Sequence, residues 1–159
     1  MKRFIWLLVS AALAAGSWYL LAPSREAAVR KAFERAASAL EKSGVEKPFD
    51  ALAKARVLAS LADPQCVFEF RGRTFQLSRG GADVTDRIAT MRNAAAYIHV
   101  EFGEVSVSFP ASDVAEANCG LSYVGEDFGL SVRDARSAEA MLRKDPDSGK
   151  WRFTHVRLK

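Results

Sequence analysis

The chain has 159 residues, of which 23 are Lys or Arg and 19 are Asp or Glu, for a formal net charge of +4. Without Lys2 and Arg3 the remainder carries only +2, and its charges are scattered along the chain. That weighs against nucleic-acid binding, which wants a clustered basic face with stacking aromatics, and the length after Pro23 suits one domain with one core.

Phe4 to Ala22 is a run of nineteen residues without a charge, directly behind Lys2 and Arg3. At ~1.5 Å per residue a helix of that length spans roughly 28 Å, close to the ~30 Å hydrocarbon core of a bilayer. Phe4 and Trp6 fall near one end and Trp18 and Tyr19 near the other, where amphipathic rings favour the interfaces. The reading is a single-pass anchor that meets the lipid bilayer through Phe4 to Ala22. A cleaved signal peptide is the alternative, because Ala12-Leu13-Ala14 and Ala14-Ala15-Gly16 fit a small-x-small site. Against cleavage, the apolar run continues through Leu21. Lys2 and Arg3 argue for an inside N-terminus, whereas Arg25, Arg30, Lys31 and Arg35 just past the span argue the other way by counting. Glu26 and Glu34 accompany those residues on a folding helix, so the expected orientation puts the domain outside the cytoplasm, in a bacterium in the periplasm. The expected division is residues 1–23 as anchor and 24–159 as domain.

Beyond Pro23, Ser24 is a plausible N-cap, with Glu26 in the first turn favouring the helix dipole. Val29, Ala32, Phe33, Ala36 and Leu40 recur at helical spacing, and Ser43-Gly44 ends this helix. A second helix starts between Pro48 and Asp50, carries Leu52, Ala55, Leu58, Ala59 and Ala62, and must stop at Asp63 before Pro64. The period then changes to two. Cys66, Phe68 and Phe70 alternate, Arg71-Gly72-Arg73 turns, and Thr74 to Ser78 runs back as a hairpin. Gly80-Gly81 breaks it, and Asp83 caps a third helix with Val84, Ile88, Met91 and Ala95 on its stripe.

From Tyr97 the chain reads as strand after strand. Ile98, Val100 and Phe102 share a face, and Val105, Val107 and Phe109 resume it one step out of phase, so a bulge at Gly103-Glu104 is expected. Ala115, Ala117, Cys119, Leu121 and Tyr123 define the next strand, Gly125-Glu126-Asp127 turns, and a long strand follows from about Leu130 to Lys144. Asp145-Pro146-Asp147-Ser148-Gly149 is a turn signal, and Trp151 to Leu158 closes the sheet.

This order of elements, the bulge at Gly103, and the run Leu142-Arg143-Lys144 followed by Gly149-Lys150-Trp151-Arg152-Phe153 resemble the nuclear transport factor 2-like (SnoaL-like, cystatin-like α+β) superfamily. The resemblance covers roughly residues 24–159. It implies an α+β fold in which a strongly curved, mostly antiparallel sheet of about six strands wraps three helices into a cone, here behind a transmembrane helix. The superfamily includes isomerases, dehydratases, epoxide hydrolases, ligand binders and scaffolding domains, so fold alone does not choose a role. One membrane span followed by such a domain is also the layout of inner-membrane scaffold proteins of type IV secretion systems. Only that layout is carried over here.

Enzymes of this shape place an acid or base inside the cone, where burial tunes its pKa. Along the strand from Tyr97 the inward face is apolar, and His99, Glu101 and Glu104 fall outside. Tyr97 and Tyr123 are the polar tips expected near the mouth, with Glu69 and Asp63 behind them, so Phe68, Glu69, Tyr97 and Tyr123 make up the expected pocket. No catalytic residue is assigned. His99 and His155 have no partners at ligand spacing, so no metal site is assigned, and no cofactor is expected. In the family's usual sheet two strands separate Cys66 from Cys119 by about 14 Å, beyond a disulfide's ~7 Å reach, so both are expected as buried free thiols. Ser106, Ser108, His99 and Glu101 make the outer sheet face polar, which leaves a modest homodimer interface open there. The function expected is a membrane-anchored, non-catalytic cone domain that binds a partner protein or a small apolar ligand. The alternative is a small isomerase- or hydrolase-like enzyme.

Overall fold

The computed structural model describes residues 24–70, 72–76, 81–127 and 130–159. The expected anchor lies outside them. Among the described residues no helix is long and apolar enough to cross a membrane.

Helix α1 (Arg25–Leu40) starts where Ser24 Oγ accepts the Ala27 N–H at 3.1 Å, and Glu26 holds Arg30 one turn on at 2.8 Å. Its buried stripe is Val29, Ala32, Phe33, Ala36 and Ala39. A two-residue strand follows, β1 (Lys42–Ser43), which pairs with Ile98 and Tyr97, so Ser43 does more than end a helix. Helix α2 (Pro48–Leu61) stops two residues before the expected Asp63. Ala62 is already extended and pairs with Phe153, and strand β2 (Ala62–Phe70) begins there. The sheet partner and the pre-proline restriction on Asp63 act together to end the helix early. Asp63 itself accepts the Gln65 N–H at 2.8 Å, a local turn that fits the irregular register between Ala62 and Val67.

The hairpin forms as expected. Phe70 pairs with Arg73 at the start of β3 (Arg73–Gln76), and Gly72 takes the φ of +72° that the turn requires. Leu77 and Ser78, expected to extend this strand, lie outside the described residues. Helix α3 (Gly81–Ala94) starts two residues before the expected cap at Asp83. The long strands are β4 (Tyr97–Phe102), β5 (Ser106–Ala111), β6 (Val114–Asp127), β7 (Leu130–Lys144) and β8 (Trp151–Leu158). Strands β4 and β5 both pair with β6, on its second and first halves, and the Gly103 N–H reaches the Gly120 carbonyl at 2.8 Å between them. They are one long strand interrupted where the bulge was expected.

The sheet order is β1-β4-β6-β7-β8-β2-β3, with β2 and β8 parallel and the other neighbours antiparallel. Counting β4 and β5 as one and setting aside short β1 leaves six strands, curved into a half-barrel around the helices. Cys66 on β2 and Cys119 on β6 are free and buried, with β7 and β8 between them. Burial pushes the Cys66 thiol up to about 12 and raises Cys119 as well, so neither is a ready thiolate.

One expected turn is displaced. Gly125, Glu126 and Asp127 pair with Val132, Ser131 and Leu130, so they belong to β6 and the hairpin turns after them. Gly125 suits its place for another reason. A Cβ there would lie 2.2 Å from the Tyr123 hydroxyl, because the tyrosine side chain lies along its own strand over the glycine.

The helices are tied together by buried charge that the sequence did not announce. The Arg92 side chain on α3 is 2% exposed and donates to the carbonyls of Ala39, Leu40 and Glu41 at the end of α1. Lys42, just past α1, returns the arrangement by donating to the carbonyls of Arg92 and Ala95 at the end of α3. Each cation satisfies carbonyls that its neighbour's helix leaves open and opposes the negative end of that helix. Glu46 sits between Arg92 and Lys54, both at 2.7 Å. Burial works against its charge, but the bonds to Arg92 and Lys54 outweigh burial and hold its carboxyl below the ordinary value.

Candidate functional site at the cone mouth and sheet notch

Side chains alternate along each strand, so the ladder register sorts every residue onto the concave or the outer face. Deep in the cone the concave rows are Ala115–Leu142–Phe153 and Ala117–Ala140–Val156–Phe68. On the floor the Phe33 ring meets Phe102 at 5.3 Å and Phe153 at 5.1 Å, both edge to face, and a groove of about 290 Å³ lies beside it, lined by Phe33, Val100 and Phe102 among others. Such pairs contribute about 0.5–1.5 kcal/mol each beyond their burial. Toward the mouth the rows become Phe102–Leu121–Arg136 and Val100–Tyr123–Asp134. Two charged residues therefore face inward, and Arg136 Nε holds Asp134 Oδ2 at 2.7 Å.

Of the four residues expected in the pocket, two lie on the concave face. Phe68 packs against the core, and Tyr123 sits directly opposite Asp134. They are not neighbours, since their rows are six residues apart along β6, about 20 Å of strand. Glu69 and Tyr97 fall on the outer face and correct the expectation. Glu69 alternates with the core residue Phe68, and Tyr97 alternates with Ile98 and Val100 and shares its side with exposed His99 and Glu101. A charged residue next to Phe68 has no apolar row to join, so it pairs across the outer ladder instead.

That outer ladder runs Glu139–Arg157–Glu69–Thr74. Arg157 Nε binds Glu69 Oε2 at 2.6 Å, Lys159 binds Glu139, and His155 Nε2 lies 3.0 Å from Glu69 Oε1 without the alignment of a hydrogen bond. The Arg157 hydrogen bond, with the Arg157 charge behind it, keeps Glu69 below the usual carboxylate range, and Lys159 does the same for Glu139. His99 likewise meets Glu41, at 3.0 Å. Among the described residues no group of three or more His, Cys, Asp or Glu could hold a metal ion.

The two faces meet at a notch. Strand β8 ends at Leu158 opposite Ala138, whereas β7 runs on toward the mouth as far as Leu130. A groove of about 460 Å³ occupies this place, lined by Arg136 and Leu158 from the inner side and by Glu69, Arg157, Lys159, Gly72 and Thr74 from the outer side and the hairpin.

No protein-family model matches the chain, and no curated protein sequence matches it. Solved structures do. LinA shares 13% identity and a TM-score of 0.63, covering 84% of each chain. A nuclear transport factor 2-like protein with a cystatin-like fold from Novosphingobium aromaticivorans shares 18% identity at TM-score 0.59, over 91% of this chain and 86% of that one. A ketosteroid isomerase candidate from Shewanella frigidimarina shares 14% identity at 0.58, over 83% and 94%. The fold is the nuclear transport factor 2-like one. At these identities the likeness speaks for the nuclear transport factor 2-like architecture and for nothing chemical.

The inward pair Asp134 and Arg136 was missed in the sequence, although a signal was present. Counting back in twos from Leu142, Ala140 and Ala138 reaches Arg136 and Asp134, so the period that found the core also finds them.

Proposed function

We propose that the chain is a membrane-anchored, non-catalytic cone domain on the outer side of the membrane that acts by binding a partner protein. One observation supports the binding half of this reading: the Phe33 ring packs edge to face on both Phe102 and Phe153 across the cone floor. The inward carboxylate, Asp134, is engaged by Arg136 at 2.7 Å. The anchor half rests on Phe4 to Ala22 behind Lys2 and Arg3.

A second reading has one specific observation in its favour. Tyr123 and Asp134 are direct cross-strand neighbours on the concave face, a proton donor beside a carboxylate. One of the similar folds is described as an isomerase candidate. The two readings part on turnover. The full chain in nanodiscs is assayed against β,γ-unsaturated ketones and epoxides beside Asp134→Asn and Tyr123→Phe. The binding reading expects no turnover in any of the three. A wild-type rate that falls at least 100-fold in Asp134→Asn, with unchanged melting temperature, would overturn it. For the anchor, the full chain is expected to stay with membranes through alkaline carbonate, and release to the supernatant contradicts it.

A further inference from the structure

A span ending at Ala22 puts one particular end of the domain against lipid. Only Pro23 stands between Ala22 and Ser24, the N-cap of α1. One residue reaches at most ~3.6 Å, so α1 begins at the level of the headgroups. The start of α1 is in turn fastened to one end of the sheet. The Arg25 guanidinium lies 4.8 Å over the Phe109 ring on β5, and Phe109 meets Trp151 at the start of β8, 5.8 Å away. Trp151 pairs with Lys144 at the end of β7, and the Lys144 N–H reaches the Asp113 carbonyl just before β6. The tips of β5 to β8 therefore share the end from which α1 starts. From there α1 runs 16 residues, about 24 Å, to the far end, where Lys47 follows the Glu46 that meets Arg92.

The charge at the tips suits that position. Arg143, Lys144 and Lys150 are exposed and, among the described residues, in no ion pair. Of the carboxylates at this end, Asp145 is held by Arg152 at 2.9 Å, which leaves Asp113 and Asp147 against those three cations and Arg25. The flank of α1 is the other surface that so short a tether allows, and its charge is mixed. Lys31 and Arg35 share it with Glu34, and Glu101 and Glu104 follow across the groove toward β4. We infer that the tips of β5 to β8 rest on anionic lipid headgroups of the membrane that holds the anchor, with Arg143, Lys144 and Lys150 as the contacts. The tether supplies proximity, so a weak attraction at each cation is enough to set the tilt, and salt screens it. The cone mouth, at the other end of the same strands, then points away from the bilayer, where a partner protein reaches it. The inference rests on the anchor half of the proposed function.

The test uses the full chain in nanodiscs of phosphatidylcholine, alone or mixed with phosphatidylglycerol, and follows lysine labelling by a water-soluble acetylating reagent. Lys144 and Lys150 are expected to label at least fivefold slower in the anionic nanodiscs at low salt, and Lys47 equally in both. High salt should erase the difference. In the double variant Arg143→Glu, Lys150→Glu, Lys144 should label at the same rate in both lipids, with little change in melting temperature because both sites are exposed. If that variant misfolds, the salt series in wild type decides. Equal rates in both lipids, a slowing that high salt leaves intact, or an undiminished slowing in the folded variant overturns the inference. So does a stronger slowing at Lys31, which would lay the flank of α1 on the bilayer. A chain that stays out of the nanodiscs defeats the anchor reading and this inference with it. A chain that enters them and shows no lipid effect defeats this inference alone.

Discussion

The deep half of the sheet and its mouth half are built from the same strands yet hold opposite chemistry. Where β6, β7, β8 and β2 lie side by side, the concave rows are Ala, Leu, Val and Phe, and α1 presses Phe33 into them. Past the end of β8 the same rows carry Tyr123, Asp134 and Arg136, and the neighbouring outer face carries a lattice of ion pairs. Among the described residues, charge enters the concave face where β8 no longer lies beside β7. A row flanked on both sides and covered by a helix excludes water, and ionised groups there would lose their hydration. A row beside a notch keeps solvent within reach.

The largest effect belongs to the deep half. Phe33→Ala should destabilise the domain by about 3–5 kcal/mol, as large-to-small changes in a packed core do, read as a shift in the urea midpoint. A loss below ~1 kcal/mol would mean that the floor is loosely filled and would reopen the small-ligand reading. Next is the helix clamp. Arg92→Met should lose about 3 kcal/mol or more, because three carbonyls would be left without their donor and Glu46 would keep only Lys54.

The clamp also sets a pH response. Glu46 is depressed in the fold, so its contribution is present above its ordinary value of 4.5 and is lost as pH falls below that value. Wild type should lose stability faster than Glu46→Gln between pH 5 and about 3, when both are followed by chemical denaturation. Parallel pH curves would remove Glu46 from the account.

The order of elements along the chain, the bulge at Gly103 and the apolar faces of β4 to β6 were legible because periods of two and 3.6 leave a mark in a sequence. The placements of Glu69 and Tyr97 were not, since each was chosen for its chemistry rather than by parity with Phe68 and Ile98. The Arg92–Glu46 clamp left no local signal: the two residues are 46 apart in sequence and meet only because α1 and α3 end side by side. Gly125 looked like a turn because glycine usually is one, and its crowding by Tyr123 is visible only in the folded chain.

Two smaller effects sharpen the contrast. Gly125→Ala should cost about 1–3 kcal/mol by pushing the Tyr123 side chain aside, and replacing Tyr123 with Ala should return part of it. Glu26→Gln, at an exposed pair on α1, should cost only about 0.3–0.5 kcal/mol and less in high salt.

Amide hydrogen exchange along β7 in the full chain tests the central contrast most directly. The Glu139 N–H, on the side covered by β8, should exchange only with global unfolding, whereas those of Arg133 and Ala135 should exchange orders of magnitude faster. Equal protection at all three would mean that β7 has a partner past Ser137, and the account of an open notch would be contradicted.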